Sequence, residues 1–282
     1  MRVANLSGRA VIVADDRALD VHTASAGRFG PEPGRLYADW PAFSEWAGSV
    51  AAATEGVTFD RRDLEAPSPA PTQVFAIGLN YRDHAAETGL AAPEAPPTFT
   101  KFASCLTGPE TDLPLPTDTV DWEVELVVVI GREATGVSAG SAWSHVAGLT
   151  VGQDYSERTS QMAGPAPQFS LAKSFPGFGA TGPWLVTPEE FADRDDLAIE
   201  CAIDGATVQS GRTAQMIFPV PELVAYLSSV CTLRPGDLIF TGTPAGVGVG
   251  RDPRRFLVPG NVVTSRIEGI GTLVQQCVVG RT

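Results

Sequence analysis

The segment DWEVELVVVIG, which begins at Asp121, places acidic side chains at the start of an apolar run. A run this rich in valine predicts a buried β-strand. Because strand side chains alternate between two faces, Asp121, Glu123 and Glu125 share one face. Val127 and Val129 continue that face and indicate that it is core. The sequence therefore predicts carboxylates on a strand face whose continuation is buried.

A buried carboxylate is costly unless its charge is compensated, and two carboxylates on one face also repel each other. Three solutions satisfy this constraint. The start of the strand can be exposed to solvent, or the acids can share a proton or pair with arginine or lysine. The third solution is a divalent cation between Glu123 and Glu125, which suits hard oxygen ligands. The residues by themselves leave all three open.

The overall charge limits the partners that this chain can bind. It has 282 residues, a formal net charge of −13 and 43% hydrophobic residues. This apolar content supports a sizeable core, and the negative surface would repel nucleic acid and anionic membranes. An anionic substrate would therefore need local cations or a metal ion.

The sequence gives no indication that the protein spans a membrane or works in an oxidising compartment. The absence of an 18-residue apolar run argues against a transmembrane helix, and the N-terminus lacks the apolar core of a signal peptide, so we expect a cytoplasmic protein. The four cysteines are widely spaced, without a CxxC motif, and are expected to be reduced and buried.

Two regions of different character follow one another along the chain. Residues 1–73 predict a small N-terminal α+β domain that ends in a Pro- and Ala-rich linker, residues 64–73, and LDVHTAS is one of its predicted strands. Residues 74–282 alternate short apolar strands with Gly and Pro, while YRDHAAETG and PVPELVAYLSSV are typical of helices. This order favours an α+β fold dominated by a mixed sheet that is rolled or sandwich-like.

Two helical spacings of polar residues could carry chemistry. Asp154 ends an apolar strand, and Arg158 and Gln161 would share a face with it on a following helical turn. The alternative is a capping aspartate before a solvated turn. His84 and Glu87 are three residues apart, which on a helix lets the carboxylate raise the basicity of the imidazole, although a surface pair has the same spacing.

Two other segments stand out by their surroundings. Lys173 is a lone cation in the apolar, Gly-rich stretch SLAKSFPGFG, where it needs a partner or a ligand. Residues 241–250, TGTPAGVGVG, lack the Lys-Ser/Thr ending of a phosphate-binding loop, which disfavours nucleotide binding. Their glycines could still bring backbone N–H groups close to a small anion.

Taken in order, these motifs resemble those of the fumarylacetoacetate hydrolase family. The resemblance is carried by GLNYRDHAAE, DWEVEL, GQDYSER followed by Gln161, LAKSF, GPWLV, MIFPVPELVAYLS and PGDLIFTGTPAGVG. It covers residues 74–282, whereas residues 1–73 carry no such motif. The resemblance implies the family's α+β catalytic domain, with a mixed β-roll or β-sandwich-like sheet, and a homodimer.

The resemblance also implies one divalent metal ion, Mg²⁺ or Mn²⁺ and in some members Ca²⁺. The expected ligands are Glu123, Glu125 and Asp154, which together suit a hard cation. Family substrates are small carboxylic acids of the 2-oxo or β-diketo type, whose oxygens can chelate the metal. The metal would polarise the carbonyl and stabilise the enolate that C–C cleavage produces.

Further residues receive roles by the same resemblance. Glu87 would orient His84 on a lid helix, and the pair would activate water as a general base. Lys173 would counter substrate charge or hold a developing oxyanion. The residues expected to contact the substrate are Arg158, Gln161 and Thr243.

The chain departs from the family pattern at two positions near this site. Thr159 and Pro176 stand where members commonly carry an acid, which affects the expected contacts to the substrate but not the three metal ligands. Asp121 shares the face of the ligands, and we expect it beside the site or at its mouth rather than on the metal.

These features predict a metal-dependent hydrolase that cleaves a C–C bond in an acylpyruvate- or fumarylpyruvate-type acid. Two alternatives use the same site: an oxaloacetate-type decarboxylase, and an isomerase or decarboxylase of unsaturated dicarboxylic acids in aromatic catabolism. A catalytically silent binding protein is disfavoured because the three acids and the His–Glu pair are intact.

Overall fold

The computed structural model describes residues 1–50, 56–88 and 91–280. The strands are β1 (Arg2–Leu6), β2 (Arg9–Ala14), β3 (Arg17–Asp20), β4 (Val57–Thr58), β5 (Leu64–Glu65), β6 (Val74–Ile77), β7 (Thr98–Thr100), β8 (Leu106–Thr107), β9 (Glu110–Leu115), β10 (Val120–Asp121), β11 (Val124–Ile130), β12 (Val146–Gln153), β13 (Ser156–Glu157), β14 (Gly179–Val186), β15 (Ala198–Ile203), β16 (Ala206–Arg212), β17 (Leu238–Phe240), β18 (Val262–Ile267) and β19 (Gly271–Val279). The α-helices are α1 (Val21–Ala24), α2 (Pro33–Leu36), α3 (Trp40–Ala47), α4 (Arg82–Thr88), α5 (Arg158–Gln161), α6 (Phe169–Ala172) and α7 (Val220–Val230). Short 3₁₀ helices cover Tyr37–Asp39, Arg61–Asp63, Ala103–Cys105, Ala139–His145, Pro188–Glu190 and Thr213–Gln215.

Strand β11, the valine-rich strand predicted from the sequence, lies inside the large mixed sheet and is buried along its whole length. The main strand order of this sheet is β4-β3-β2-β1-β14-β12-β11-β17-β6-β7, with β5 beside β1 and β8 beside β14. Leu126 and Val128 point into one core cluster, while Val127 and Val129 point into another. Both faces of β11 are therefore core, as the unbroken apolar run predicts.

A second sheet, in the order β16-β15-β18-β19-β9, packs on one face of the large sheet. Ile199 of β15, Val263 of β18 and Leu273 of β19 join Leu126 in the cluster between the two sheets. On the opposite face of the large sheet, the N-terminal helices contribute Trp40 to the second cluster. The predicted α+β, sandwich-like architecture is confirmed.

The N-terminal region shares its sheet with the rest of the chain. Strand β1 pairs antiparallel with β14, so β1–β4 extend the large sheet rather than forming a separate one. The segment predicted as a linker is also packed: the Tyr37 hydroxyl donates to the carbonyl of Pro67 at 3.0 Å, and the Ser68 hydroxyl donates to that of Gly236 at 2.7 Å. The boundary between residues 73 and 74 stays a prediction.

Other local predictions differ in outcome. Helices α4 and α7 form where the sequence indicates them. The LDVHTAS strand is wrong in its second half, because the Asp20 side chain accepts the backbone N–H of Thr23 at 2.8 Å and starts α1. The cysteines form no disulfide; Cys231 is half-buried and the other three are buried. No helix in the described residues is long and apolar enough to cross a membrane.

Gly152 is required by the tight packing of β11 against β12. A Cβ atom at this position would lie 2.4 Å from Cγ2 of Val127 and 2.9 Å from Cε1 of Phe240. We expect Gly152→Ala to lower the free energy of unfolding by about 1–3 kcal/mol through overpacking, as measured by urea denaturation. Gly140→Ala is the control, since its nearest neighbour would be 3.9 Å away. Equal free energies of unfolding for Gly152→Ala and Gly140→Ala would contradict close packing at Gly152.

Candidate functional site

The strand register brings together the three acids predicted as metal ligands. The backbone N–H of Asp154 donates to the carbonyl of Glu123 at 2.9 Å, directly beyond the Val124–Gln153 pair of β11 and β12. Glu125 follows on the same face of β11. The exposed fractions of Glu123, Glu125 and Asp154 are 6%, 1% and 0%. A solvent-exposed strand start, the first of the three solutions, is therefore excluded.

Two lysines lie against this acidic cluster. Lys173 Nζ lies 2.6 Å from Glu123 Oε2 and 2.7 Å from Asp154 Oδ2. Lys101 Nζ lies 2.6 Å from Asp154 Oδ1 and also donates to the carbonyl of Lys173. Burial by itself would lower the pKa of the Lys173 ammonium, but Asp154 and Glu123 raise it overall. Lys173 is thus held as a cation, and pairing with lysine, the second solution, is realised for Glu123 and Asp154.

Glu125 differs from its neighbours because no cationic side chain in the described part of the chain contacts it. Its Oε2 accepts the backbone N–H of Gly242 at 2.8 Å. Burial, reinforced by Asp154 and Glu123, raises the pKa of Glu125 well above its usual range. Burial would raise the pKa of Glu123 too, but Lys173 and Arg158 lower it to about 2. Without a cation beside it, Glu125 is therefore held in its neutral form, and its ionised form is the one that the protein leaves uncompensated.

The donor set fits a divalent cation. Glu123, Glu125 and Asp154 each offer a carboxylate oxygen, and these atoms lie within 4.8 Å of one another. Oxygen-only ligands favour hard ions such as Mg²⁺, Mn²⁺ and Ca²⁺ over thiophilic ones. A cation here would also supply the positive charge that Glu125 lacks. The three acids could thus hold one metal ion.

Arg158 joins the acidic cluster to a glycine-rich loop. Its Nη2 atom lies 2.7 Å from both Asp121 Oδ2 and Glu123 Oε1. Asp121 in turn accepts the backbone N–H groups of Gly248 at 2.7 Å and Val249 at 2.9 Å. Asp121 lies beside the cluster, as expected, and it fixes Arg158 and the loop in one position.

Glu157 holds the short helix α5 that carries Arg158. Its carboxylate accepts the backbone N–H of Thr159 at 3.1 Å and that of Ser160 at 2.7 Å, and the Thr119 hydroxyl donates to it as well. Burial would raise the pKa of Glu157, but these hydrogen bonds lower it to about 2. A four-residue helix has little stability of its own, so this ionised cap positions the helix.

His84 and Glu87 form the predicted pair on α4. His84 Nδ1 lies 3.3 Å from Glu87 Oε2, and the Glu87 carboxylate accepts the backbone N–H of Gly246 at 3.1 Å. Burial would raise the pKa of Glu87, but the bonds from His84 and Gly246 lower it overall. An ionised carboxylate only accepts hydrogen bonds, so Nδ1 of His84 carries a proton and donates it to Glu87.

A cavity of about 590 Å³ opens onto these groups. Of the nine predicted site residues, seven line it: His84, Glu123, Glu125, Arg158, Gln161, Lys173 and Thr243. Asp154 lies beneath Glu123 and Lys173, and Glu87 lies behind His84. The structure therefore brings the nine residues into one site, while their individual roles stay predictions.

Three of these residues have hydrogen-bond partners within the protein that limit what they can offer a substrate. Lys173 binds two of the acids rather than standing free for a substrate. The hydroxyl of Thr243 donates to the carbonyl of Val124 at 2.8 Å, so that proton is unavailable to a substrate oxygen. The Gln161 carbonyl oxygen accepts from Arg158 at 2.9 Å, which leaves its amide N–H groups as possible substrate donors.

Lys101 and Glu157 are functional candidates that sequence reasoning missed. Lys101 is a lone cation in the stretch TFTKFAS, the same signal that marks Lys173, and it could have been found in that way. Glu157 follows Asp154 by three residues, and its cap on Thr159 and Ser160 is local, so it could have been recognised as a capping acid. Its additional contact with Thr119 comes from a distant segment. No local pattern indicates such a contact.

Comparison with known proteins places this site in a family. The family model described as fumarylacetoacetate (FAA) hydrolase C-terminal matches residues 73–278. The human mitochondrial protein named oxaloacetate tautomerase FAHD2A is 44% identical over 215 residues, which cover 76% of this chain and 68% of that protein.

Solved structures show the same relationship. A structure from Mycobacterium smegmatis that carries the HpcE name is 53% identical, with a TM-score of 0.95 and full coverage of both chains. Maleylpyruvate hydrolase from Sphingobium sp. SYK-6, solved with manganese(II) and pyruvate, is 26% identical with a TM-score of 0.81 over the whole of both chains. The family match and these relatives agree with the motifs and the buried acids described above, and the chain belongs to the fumarylacetoacetate hydrolase family.

Proposed function

We propose that this protein is a metal-dependent enzyme that moves a proton on a 2-oxo acid, interconverting the keto and enol forms of an oxaloacetate-type substrate. The observation that carries the proposal is the position of His84, which lines the same cavity as Glu123 and Glu125. A candidate base and a candidate metal centre thus line the same cavity. The name of the human relative, an oxaloacetate tautomerase, supports the choice of reaction.

The His84–Glu87 pair would perform the proton transfer. With Nδ1–H held by Glu87, Nε2 can take a proton from the carbon next to the 2-oxo group and return it to the oxygen. No atom is gained or lost in this exchange. Glu87 stays ionised and orients the ring, because the Gly246 N–H also binds it.

The charge of the site favours an anionic ligand once a metal is bound. Within the ion-pair network around the three acids, which does not include Glu87, the acids Asp121, Glu123, Glu125 and Asp154 exceed the cations Lys101, Lys173 and Arg158 by one charge when all four acids are ionised, as metal binding requires. A divalent cation reverses this excess, and a substrate carboxylate then restores neutrality. When bound, the cation supplies Lewis-acid polarisation of the 2-oxo group.

We propose Mg²⁺ or Mn²⁺ as the ion. Three carboxylates leave room for the substrate oxygens and water that complete a six-coordinate shell. The manganese(II) and pyruvate in the Sphingobium structure support both the ion and the 2-oxo acid. Ca²⁺ has the same preference for oxygen ligands and is the natural competitor in a metal panel.

Cleavage of a C–C bond by hydrolysis, the function predicted from the sequence, is the second candidate. The cavity of about 590 Å³ favours it, because a four-carbon acid needs far less than this drug-sized volume. In that reaction His84 would remove a proton from an attacking water instead of from carbon.

Product analysis separates these reactions. Detection of two carboxylic acid products from an acylpyruvate would establish hydrolysis, whereas enol–keto exchange does not cleave the substrate. Decarboxylation would release CO₂ instead, and isomerisation of an unsaturated dicarboxylic acid would leave the substrate's mass unchanged.

We retain the homodimer as a proposal, together with the cytoplasmic location. The human relative carries a mitochondrial designation, which describes that protein. Size-exclusion chromatography with light scattering gives the oligomeric state directly.

Replacing His84 tests the proposed base. We expect His84→Ala to lower kcat for oxaloacetate enol–keto exchange by about 10²- to 10⁴-fold with little change in KM, because proton transfer is lost and the metal ligands stay intact. The decay of enol absorbance measures the rate. His145→Ala is the control, since the side chain of this half-buried histidine bonds to the backbone carbonyl of Glu133 and does not line the cavity. An unchanged kcat in His84→Ala would exclude His84 as the base.

Glu125→Gln separates metal binding from stability. The substitution removes a buried carboxyl whose ionised form no cation compensates, and it keeps an oxygen for the Gly242 N–H, so the metal-free variant should be at least as stable as the wild type. In contrast, Mn²⁺ should raise the Tm of the wild type and of the surface control Glu45→Gln but not that of Glu125→Gln. Equal Mn²⁺ shifts in all three proteins would contradict a role for Glu125 as ligand.

Glu157→Ala tests the cap of α5. Loss of the cap should let Arg158 and Gln161 move, and we expect KM to rise several-fold while kcat changes less. Glu157→Gln keeps one acceptor oxygen and should give an intermediate KM. Steady-state kinetics on metal-loaded protein provides both constants. A fall in kcat with KM unchanged would show that Glu157 does not act through substrate binding.

A further inference from the structure

A basic run lies at the mouth of the cavity in a chain that is acidic overall. The segment RDPRR supplies Arg251, Arg254 and Arg255 within five positions, against a net charge of −13 for the chain. The guanidinium groups of Arg251 and Arg255 lie over the Trp122 ring, at 5.7 and 5.8 Å from its centroid. Arg254 alone of the three lines the cavity.

Arg254 is uncommitted, unlike the other cations of the cavity wall. Arg158 and Lys173 are both within ion-pair distance of carboxylates. No acid in the described ranges lies within ion-pair distance of Arg254, and the acids that line the cavity are Glu123 and Glu125, which belong to the metal centre. An exposed guanidinium facing a cavity is therefore left with five N–H donors for a ligand.

The hydroxyl groups in the same wall cannot take over this role. The Thr119 hydroxyl donates to Glu157, so in its 2.9 Å contact with Thr159 it accepts and the Thr159 hydroxyl donates. Both protons are used within the protein. Thr159 nevertheless matters, because it makes this wall neutral where an acid would repel an anion.

Part of the cavity lining is apolar. Met162, Val249 and Phe256 line the cavity together with Arg254, and Val249 and Phe256 lie within five residues of it along the chain. Such side chains suit a hydrocarbon chain, whereas the acidic cluster suits a metal ion and the oxygens of a 2-oxo acid. Among the described residues, the cavity lining thus combines a candidate metal centre, apolar side chains and one cation without an acidic partner.

We propose that Arg254 forms a distal subsite for a second carboxylate, so that the preferred substrate is a 2-oxo acid longer than four carbons with an anionic group at each end. This inference rests on the proposed function, because it assumes that the 2-oxo end binds at the metal centre. It adds a residue that selects the substrate by its far end. Arg254 contacts the ligand without touching the reacting atoms.

A matched pair of ligands tests the subsite without turnover. Calorimetry on Mn²⁺-loaded protein compares 2-oxoadipate with 2-oxohexanoate, which has the same chain length but a methyl group in place of the second carboxylate. We expect the wild type to bind 2-oxoadipate about tenfold more tightly, the effect of one charge-assisted hydrogen-bonded pair. Arg254→Gln should bind the two acids equally and keep the wild-type affinity for 2-oxohexanoate.

Arg255→Gln is the control, because it removes the same charge from the neighbouring position, which does not line the cavity. This variant should keep the preference for 2-oxoadipate, and an unchanged Tm in both variants shows that the fold is intact. Equal binding of the two acids by the wild type, or a preference that survives in Arg254→Gln, would overturn the subsite alone. Failure of both acids to bind while oxaloacetate is still turned over would also overturn the subsite alone, whereas loss of oxaloacetate turnover as well would overturn the proposed function and, with it, this inference.

Discussion

The architecture of the site depends on one imbalance of charge inside the protein. Glu123, Glu125 and Asp154 are held together by the register of β11 and β12, and the cations that reach them serve only Glu123 and Asp154. Glu125 has a single backbone N–H from Gly242. Such a group is stable in the ionised form only if a cation joins it. The fold thus leaves the ionised form of Glu125 without a counter-charge, and a divalent ion bound by the three acids would provide one.

The rest of the structure keeps this arrangement rigid. Strand β11 lies between two hydrophobic clusters and is packed on both faces. Glu125 and the adjoining Glu123 are therefore held by a packed strand rather than by a loop. Asp121 ties Arg158 to the loop at Gly248, and Glu157 caps the helix that carries Arg158. Side chains held in this way need little reordering when a ligand binds, which favours both affinity and catalysis.

Periodicity predicted the strand, the shared face of its acids and the helices α4 and α7, because these depend on neighbouring residues. The strand prediction across Asp20 was wrong, since a side-chain cap outweighed the apolar alternation there. Lys101 and Glu157 were missed although each has a local signal, a lone cation in an apolar stretch and an acid before a short helix. Their contacts to Asp154 and Thr119, at sequence separations of 53 and 38, are not indicated by neighbouring residues. The resemblance to the family supplied Asp154 as the third ligand, which spacing alone does not indicate.

A crystal grown with Mn²⁺ gives the most direct test of whether the buried acids are a metal centre. Anomalous scattering locates manganese independently of any assumption about ligands. We expect one strong peak per chain, within about 2.0–2.4 Å of carboxylate oxygens of Glu123, Glu125 and Asp154. Absence of a peak at these three acids, with Lys173 still bridging Glu123 and Asp154, would contradict a metal-dependent function for this site.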